Sequence, residues 1–424
     1  MPQQPELNIG TIGHVDHGKT TLVQALSGVW AAKHSEELRR GITIKLGYAD
    51  ASVYKCPRCD IPECYSTEPK CPACGTKCEF QRAVSFVDAP GHEALMATML
   101  SGAAVMDGAI LVIAADELCP QPQTREHLAA IQIVGIDKII IVQNKIDIVD
   151  EKRVMESYRE IAEFVKDTIA EDAPVIPISA QHAVNIDALV QAIEEYIPTP
   201  KREITKSPLM YIVRSFDINK PGTSIDDLVG GVIGGSIIQG QFKMGNEIEI
   251  RPGIRVEKQG QSVYEPLQTE IVSLRAGGRD MDEAQCGGLV GIGTMLDPSL
   301  TKADSLTGNL VGLPEKLPPT ASELTVETHF FERAIGTKEM IAIDRIHLKE
   351  SLLLDVGTTI TVGAVVSVKG DAATLKLGRP VCVEKGTRAA LSRKVAGRWR
   401  LIGYGIVKQN GNKLKATTQE KPQG

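Results

Sequence analysis

The 424-residue sequence contains no apolar run long enough to cross a bilayer, and its N-terminus, MPQQPELNIG, lacks the features of a signal peptide. These two absences argue against an integral membrane protein and against a secreted one. A repeat of fixed short period is also missing, so a solenoid is not expected. We therefore predict a soluble, cytoplasmic protein without a membrane partner.

Excess positive charge is missing as well, because the formal net charge is −6, which argues against a general nucleic-acid binder. The charge is unevenly spread, however. From Ala321 onward there are 17 Lys and Arg residues against 10 Asp and Glu residues, which leaves a net −13 on the preceding part. This division favours an anionic partner for the C-terminal part. A solvated basic face explains it equally well.

The length of the chain predicts two to four domains. Proline-rich and charged segments at Ile197–Pro208 and Leu313–Glu323 mark two boundaries. The domains expected from these boundaries are 1–206, 207–320 and 321–410, followed by a polar, flexible tail at 411–424.

Continuous apolar runs in the first domain are typical of buried parallel strands, and helical stretches lie between them. The expected strands are Leu7–Ile12, Tyr48–Tyr54, Ala83–Ala89, Ala109–Ala115, Lys138–Lys145 and Val175–Ser179. The expected helices are Thr21–Leu26, Thr124–Val134, Glu151–Ala170 and Ile186–Tyr196. Short β-branched runs with glycine turns then replace the helices. The fold class predicted is an α/β P-loop domain with a mostly parallel sheet and helices on both faces, followed by two antiparallel β-barrels.

The segment GHVDHGKT, Gly13–Thr20, fits the phosphate-binding pattern G-x-x-x-x-G-K-[ST] between a strand and a helix. Backbone N–H groups and the helix N-terminus would surround the phosphates. Lys19 would reach the β- and γ-phosphates, and the Thr20 hydroxyl would bind Mg2+. An ordinary glycine-rich turn does not explain why the segment lies between a strand and a helix. The nucleotide-binding residues expected here are Asp16, His17, Gly18, Lys19, Thr20 and Thr21.

The segment DAPGH ends the next apolar strand with Asp88. This carboxylate would hold a Mg2+-bound water, and Gly91 would offer its N–H to the γ-phosphate. His92 follows at once. A single histidine is usually structural, but one beside the γ-phosphate sensor would orient the attacking water.

The segment NKID, with Asn144, Lys145 and Asp147, closes a later strand. The Asp147 carboxylate would accept two hydrogen bonds from N1–H and the exocyclic amine of guanine, an arrangement that adenine lacks. SAQ (Ser179, Ala180 and Gln181) follows the last strand, where the Ala180 N–H would read guanine O6. Each motif alone also suits a turn, but their order behind a P-loop indicates GTP and GDP rather than ATP.

Six of the nine cysteines fall between Cys56 and Cys78, which points to a metal rather than to disulfides. CPRC and CPAC supply four thiolates, from Cys56, Cys59, Cys71 and Cys74, for one tetrahedral Zn2+. The zinc would be structural, because four protein ligands leave no open position. The segment 56–74 thus reads as a zinc knuckle at the tip of a β-hairpin. Cys64 and Cys78 lie near enough to compete as ligands and are expected to be free thiols.

GHVDHGKT, RGITI, DAPGH and NKID resemble the motifs of elongation-factor-type translational GTPases, which also carry a GTPase domain before two β-barrels. The resemblance implies a GTPase in which Thr43 completes the Mg2+ shell and His92 positions the water. Val15 and Ile42 would form an apolar gate that holds His92 back. The catalytic residues implied are His92, Lys19 and Thr43.

Asp16 faces like charge inside a phosphate-wrapping loop unless a cation intervenes. One hypothesis is that Asp16 and the Gly41 carbonyl approach a second Mg2+, beside the first at Thr20, Thr43 and Asp88. The other is that Asp16 points to solvent.

The cysteine insertion, together with HSEELRRGITIKLGYADA and RPVCVEKGTRAALSRKVAGRWRLIGYG, resembles the gamma-subunit family of archaeal and eukaryotic translation initiation factor 2, over about residues 6 to 408. The short N-terminus resembles the archaeal members. The resemblance implies a heterotrimer with alpha and beta subunits that carries methionylated initiator tRNA to the small ribosomal subunit. Two alternatives are a related GTPase with another cargo, such as the selenocysteine-specific elongation factor, and a zinc-ribbon nucleic-acid module with a regulatory nucleotide site.

A group of basic residues near the C-terminus is a candidate for contact with tRNA phosphates. Its members are Arg388, Arg393, Lys394, Arg398 and Arg400. The neighbouring aromatic residues are few, Trp399 and Tyr404, and both also suit a barrel core.

Overall fold

The computed structural model describes residues 4–31, 45–92, 95–258, 260–331, 343–395 and 397–413. Within these ranges an α/β unit is followed by two closed antiparallel barrels, which confirms the predicted fold class. Gly41, Ile42 and Thr43, named above as candidate site residues, lie outside the described residues.

The α/β unit is built on a seven-stranded sheet with the order β3-β2-β4-β1-β5-β6-β7. Its strands are β1 (Leu7–Gly13), β2 (Gly47–Lys55), β3 (Tyr65–Ser66), β4 (Glu79–Asp88), β5 (Gly108–Ala114), β6 (Ile139–Asn144) and β7 (Val175–Pro177). Five of them, β4, β1, β5, β6 and β7, pair in parallel, whereas β2 runs antiparallel to β4. Apolar cores lie on both faces, which explains why the central strands are apolar throughout.

Helices cover both faces of this sheet. They are α1 (Lys19–Ser27), α2 (Met96–Ala103), α3 (Pro122–Val134), α4 (Glu151–Val165) and α5 (Ile186–Tyr196). Helix α4 was expected to reach Ala170 but ends at Val165, because Lys166 has a ψ of 137° and Asp167 a φ of 60°. Helix α2 was not predicted.

The first barrel contains β8 (Leu209–Phe216), β9 (Val232–Gln239), β10 (Gln241–Lys243), β11 (Glu247–Lys258), β12 (Gln261–Ala276), β13 (Arg279–Met281), β14 (Glu283–Gln285), β15 (Val290–Thr294) and β16 (Leu310–Gly312). Six strands in the order β11-β16-β8-β9-β15-β12 close on themselves through the pairing of β11 with β12. Phe242 and a group of isoleucines fill the interior.

The second barrel contains β17 (Thr320–Phe330), β18 (Ser351–Val356), β19 (Thr359–Lys369), β20 (Ala372–Cys382), β21 (Arg388–Val395) and β22 (Arg398–Lys413). It closes in the order β17-β20-β19-β18-β21-β22. Strand β22 continues to Lys413, three residues into the segment expected as a tail, because its backbone pairs with β17 as far as Ala321.

Both barrels contact the α/β unit. Arg400 of the second barrel pairs with Glu126 of α3 over 3.0 Å, and both side chains are buried. Lys45 of the α/β unit pairs with Asp304 of the first barrel over 2.5 Å. The α/β unit is therefore held to both barrels by charged contacts. None of the helices within the described ranges combines the length and the apolar character that a membrane span requires.

Candidate functional site

The predicted phosphate loop, Gly13–Thr20, joins β1 to α1 at the carboxyl edge of the sheet. Gly18 precedes α1 with a φ of 90°, and a Cβ placed on it would lie 2.3 Å from Asn144 Nδ2. Glycine is required here both by the left-handed backbone and by the close approach of a neighbouring motif. The loop thus presents its backbone at the N-terminus of α1, where phosphates bind favourably.

Lys19 is buried within this loop, and its Nζ donates to the carbonyl oxygen of His14 over 2.5 Å. Burial lowers the pKa of Lys19 to about 8, while the negative charges of Asp88 and Asp16 act in the opposite direction. A phosphate at this position would restore the stability of the ammonium form, because it brings negative charge into a desolvated site. The geometry suits the predicted role.

Asp88 ends β4 with a fully buried carboxylate. It accepts from the Thr20 hydroxyl over 2.6 Å and from the Thr11 hydroxyl over 3.0 Å. Two of the predicted Mg2+-site residues, Thr20 and Asp88, are therefore brought together beside Lys19. Hydroxyl and carboxylate oxygens are the ligands that Mg2+ prefers, so the residues present fit this ion.

The DAPGH segment returns against the phosphate loop. A Cβ added to Gly91 would lie 2.5 Å from Lys19 Nζ and 3.0 Å from the Val15 backbone nitrogen. A side chain at this position would clash with Lys19, so glycine is required for the close approach of the DAPGH segment to the phosphate loop. His92, the next residue, is exposed.

Asp16 is exposed and has a left-handed backbone, with a φ of 61°. Its charge raises the pKa of His14 and of Lys19, against the larger effect of burial. Gly41, the proposed second ligand of an additional Mg2+, lies outside the described residues. The hypothesis of a second Mg2+ stays a prediction.

Asn144, the first residue of NKID, connects two other motifs. Its Nδ2 donates to the His17 carbonyl oxygen over 2.8 Å, and its Oδ1 accepts from the Ala180 N–H over 3.0 Å. Lys145 has a φ of 63°, and its Nζ pairs with Asp116 over 3.3 Å. The phosphate loop, NKID and SAQ are thus joined at one edge of the sheet, as predicted from their positions at strand ends.

Asp147 and SAQ form the end of the site at which the base is expected. Hydrogen bonding by the buried Ser179 holds the pKa of Asp147 below its usual range, and His182 Nε2 lies 3.6 Å from its carboxylate. An ionised carboxylate accepts hydrogen bonds but donates none, which matches N1–H and the exocyclic amine of guanine. Gln181 is exposed beside it, and Thr21, in the first turn of α1, is partly buried.

Three histidines lie in or beside the phosphate loop: His14 and His17 belong to the loop, and His127 contacts it from α3. Of these, only His17 was predicted from the sequence to be a site residue. His17 is buried between the Val112 carbonyl oxygen (3.1 Å) and Glu117 (3.5 Å), and burial lowers its pKa to about 3. His127 of α3 accepts from the Gly13 N–H over 2.9 Å, and burial lowers its pKa well below its usual range. Local sequence gave no sign of His127, because it reaches the loop from a helix 114 residues away.

The predicted zinc ligands converge at the tip of the β2–β4 hairpin. The four Sγ atoms of Cys56, Cys59, Cys71 and Cys74 all lie within 4.8 Å of one another. The distance is 3.5 Å for the Cys56–Cys74 pair and 3.6 Å for the Cys59–Cys71 pair. Tetrahedral bonds of about 2.3 Å place thiolates about 3.8 Å apart, so the cluster fits Zn2+. Hydrogen bonds to Thr76 lower the pKa of Cys74 to about 6, which favours the thiolate that a metal binds.

The two remaining cysteines of the insertion, Cys64 and Cys78, are buried against the same cluster. Their pKa values are raised, chiefly by burial. They are distinct from the four cysteines whose sulfurs converge.

Three residues of the basic group near the C-terminus make contacts within the chain. Arg400 pairs with Glu126, Arg393 pairs with Glu350, and Arg388 Nη1 donates to the Ile133 carbonyl oxygen over 3.2 Å. Two of these three residues hold the second barrel to the α/β unit. Part of the positive charge near the C-terminus therefore stabilises the contact between the second barrel and the α/β unit.

Comparison with known proteins covers all three units. The elongation factor Tu GTP binding domain matches residues 4–199, elongation factor Tu domain 2 matches residues 230–308, and the C-terminal domain of initiation factor eIF2 gamma matches residues 322–407. The translation initiation factor 2 gamma subunits of Methanothermobacter thermautotrophicus and Methanocaldococcus jannaschii are each 60% identical, covering 96% of this chain and 100% and 98% of theirs.

Two solved structures share the arrangement. A bacterial selenocysteine-specific elongation factor matches with a TM-score of 0.73 at 22% identity, over 98% of this chain and 60% of that one. The elongation factor SelB of Methanococcus maripaludis, in complex with a GTP analogue, matches with a TM-score of 0.71 at 20% identity, over 98% and 81%. At these identities the likeness establishes the fold alone.

The α/β unit, its motifs and the two barrels define a translational GTPase of the elongation factor Tu type. The sequence identity of 60% over nearly the whole chain shows to which family of translational GTPases the chain belongs. The chain belongs to the gamma subunits of translation initiation factor 2. The selenocysteine-specific factor, considered above as an alternative, is a distant structural neighbour.

Proposed function

We propose that the chain binds GTP and GDP between the phosphate loop and NKID, with the phosphates at Lys19 and the base at Asp147. The observation that carries this proposal is the double contact of Asn144, which holds the phosphate loop and SAQ to NKID. Mg2+ would be held by Thr20 and Asp88, joined by Thr43, and would neutralise phosphate charge. We keep Asp16 and Gly41 as candidates for a second ion.

Hydrolysis would need no covalent intermediate. Lys19 stabilises charge on the transferred phosphate, and His92, next to Gly91, orients the attacking water. Val15 and Ile42 would gate His92. We expect His92→Ala to slow hydrolysis by about 100-fold without changing GTP affinity, since general acid–base and positioning effects are of this size. His347→Ala, at an exposed histidine of the second barrel, serves as the control. Hydrolysis at the original rate in His92→Ala would remove the assignment.

The chain would carry methionylated initiator tRNA to the small ribosomal subunit, as part of a cytoplasmic heterotrimer with alpha and beta subunits. Support comes from family membership and from the charged contacts that join the α/β unit to both barrels. GTP hydrolysis would change these contacts and so loosen the groove for the acceptor end. The units proposed to act in this way are 1–206, 207–320 and 321–410, of which the last extends to Lys413 with β22.

The test is the affinity of the full chain for methionylated initiator tRNA, loaded with GDP or with a non-hydrolysable GTP analogue. Coupling between two sites typically changes affinity by about 5- to 150-fold, so the analogue should tighten binding within this range. Methionylated elongator tRNA is the matched control and should bind more weakly. Equal affinity in both nucleotide states would overturn the proposed switch.

The four convergent cysteines would hold one structural Zn2+ at the hairpin tip. The ion would fix the hairpin without taking part in hydrolysis, because four thiolates complete its tetrahedral shell.

A further inference from the structure

A cavity of about 350 Å³ lies where the three units meet. Leu100 of α2 and Ile133 of α3 contribute an apolar wall, Tyr211 of the first barrel forms a second side, and Asp355 and Arg388 of the second barrel form a third. The cavity is separate from the nucleotide motifs. A volume of this size lies within the range of small-molecule sites.

Asp355 is the unusual residue of this cavity. It lies on β18 between Leu354 and Val356, whose side chains fill the barrel core, so its own side chain is on the outer face towards the α/β unit. Only 4% of its surface is exposed. Among the described residues, neither carboxyl oxygen has a hydrogen-bond partner. Burial raises the pKa of Asp355 well above its usual range.

Within the part of the chain that the structure describes, no other polar residue of the wall forms a hydrogen bond with the Asp355 carboxyl group. Arg388 Nη1 donates to the carbonyl oxygens of Gln132 and Ile133 at the end of α3, and its guanidinium lies 5.4 Å from the centre of the Tyr404 ring. Burial raises the pKa of Tyr211 to about 12, so its hydroxyl stays neutral. A buried carboxyl without a partner costs free energy that a donor from outside the chain would recover.

The shape and chemistry of the cavity walls indicate which kind of hydrogen-bond donor would fit beside Asp355. One carboxyl group supplies at most two of the six or more oxygen ligands that Ca2+ or Mg2+ takes, and the aliphatic wall beside it offers none, so the cavity is poorly matched to a hydrated metal ion. Leu100, Ala104, Ile133 and Val134 offer an aliphatic surface beside the carboxyl. This combination suits a cation that has N–H donors at one end and methylene groups behind them.

We propose that this three-unit cavity binds a small aliphatic ammonium ion, whose N–H groups donate to Asp355 while its methylene groups pack against Leu100 and Ile133. Because the walls come from three units, the bound cation stabilises the arrangement in which those units meet.

The probe is n-butylammonium, titrated by calorimetry into the full chain, with butan-1-ol as the uncharged analogue of the same length. We expect saturable binding of the amine and much weaker binding of the alcohol. Asp355→Asn should weaken amine binding by about tenfold or more, since hydrogen bonds to charged groups contribute about 1.5–3 kcal/mol. Asp371→Asn, at an exposed aspartate of the same barrel, should leave it unchanged.

A second variant, Ala104→Leu, fills the cavity and retains the carboxyl, and should also remove amine binding. GTP affinity, measured in parallel, should be the same in every variant, which shows that each one folds and separates this proposal from the proposed function. Amine affinity that is equal in the unchanged chain and in Asp355→Asn would overturn the proposal. Absence of saturable binding by the unchanged chain, or equal binding of the alcohol, would do the same.

Discussion

Asn144 Nδ2 donates a hydrogen bond of 2.8 Å to the carbonyl oxygen of His17. The bond fixes the phosphate loop relative to the strand end that carries Asp147. Because the Oδ1 of the same side chain accepts from the Ala180 N–H over 3.0 Å, one amide positions three motifs. The proposed sites for the base and for the phosphates are therefore connected by one side chain.

The first prediction concerns this amide. Asn144→Ala removes two buried hydrogen bonds, each with a net value of about 1 kcal/mol, so affinity for GTP and GDP should fall together by about 10- to 100-fold. The ratio of the two affinities should not change, because Asn144 contacts the loop backbone at His17 and Gly18 and not the Lys19 ammonium group or Gly91, where the γ-phosphate is expected. Fluorescent-nucleotide titration measures both. Gln132→Ala, at an exposed amide of the same unit, is the control. A selective loss of GTP affinity alone would contradict this explanation.

The second prediction concerns the cysteine cluster. The chain should contain one zinc ion, and Cys56→Ser combined with Cys71→Ser should lose it, because two thiolates cannot complete a tetrahedral site. Metal content by mass spectrometry is the measurement. Cys64→Ser combined with Cys78→Ser is the matched control, since these two buried thiols lie beside the converging sulfurs. Equal retention of zinc in both double variants would remove the assignment.

The third prediction concerns pH. His127 is buried and its pKa is far below its usual value of 6.5, so only the unfolded chain takes up a proton there below about pH 6.5. Stability should therefore fall as the pH decreases from 6.5, by about 1.4 kcal/mol per pH unit for each such histidine. His17, with a pKa of about 3, contributes in the same direction.

His127→Asn keeps an acceptor for the Gly13 N–H and removes one titrating group, so the acid dependence of the free energy of unfolding should become shallower. Denaturant unfolding between pH 7 and pH 5 measures the slope. His347→Asn, at an exposed histidine of the second barrel, serves as the control for the slope. A slope that does not differ between His127→Asn and the unchanged chain would show that His127 is protonated in the fold.

The fourth prediction concerns the contact between the α/β unit and the first barrel. Asp304 accepts from Lys45 over 2.5 Å and from Arg214 Nε over 2.9 Å, and these bonds hold its pKa below its usual range. Asp304→Asn should lower the free energy of unfolding by about 1–2 kcal/mol, because Lys45 and Arg214 each lose one charged hydrogen bond.

This loss should shrink at high salt, since Lys45 is partly exposed and the attraction is screened. Asp280→Asn is the control, at an exposed aspartate 3.9 Å from its arginine, and should change stability little. A loss that is independent of salt would indicate that Asp304 acts through packing rather than through charge.

The sequence predicted much of the fold because strands that are covered on both faces must be apolar along their whole length. The strands at Ala109–Ala115 and Lys138–Lys145 were placed to within a residue of β5 and β6. Helix α2 escaped prediction because MATMLSGA is buried around most of its circumference and lacks a polar face. The end of α4 was missed because the polar residues after Val165 do not signal the left-handed turn at Asp167.

At the site, the contacts that could not be predicted are those between residues far apart in the sequence. The motifs predicted which residues meet at the sheet edge, since the carboxyl ends of parallel strands lie together. They did not predict His127 behind the phosphate loop or Arg400 beside Glu126, because these pairs are 114 and 274 residues apart. Charge made the basic residues near the C-terminus candidates for contact with tRNA phosphates, which stays a prediction, but it did not indicate that Arg388 and Arg400 contact the α/β unit.

The most direct test of the central claim is a comparison of GTP, ATP and xanthosine triphosphate affinities for the unchanged chain and for Asp147→Asn. A site built to pair with N–H donors rejects an analogue that lacks them by about 10⁴-fold, so the unchanged chain should bind GTP far more tightly than ATP. The side-chain amide introduced by Asp147→Asn would offer an N–H to the 2-oxo group of xanthine, so the variant should prefer xanthosine triphosphate. Comparable affinity of the unchanged chain for ATP and GTP would contradict the account.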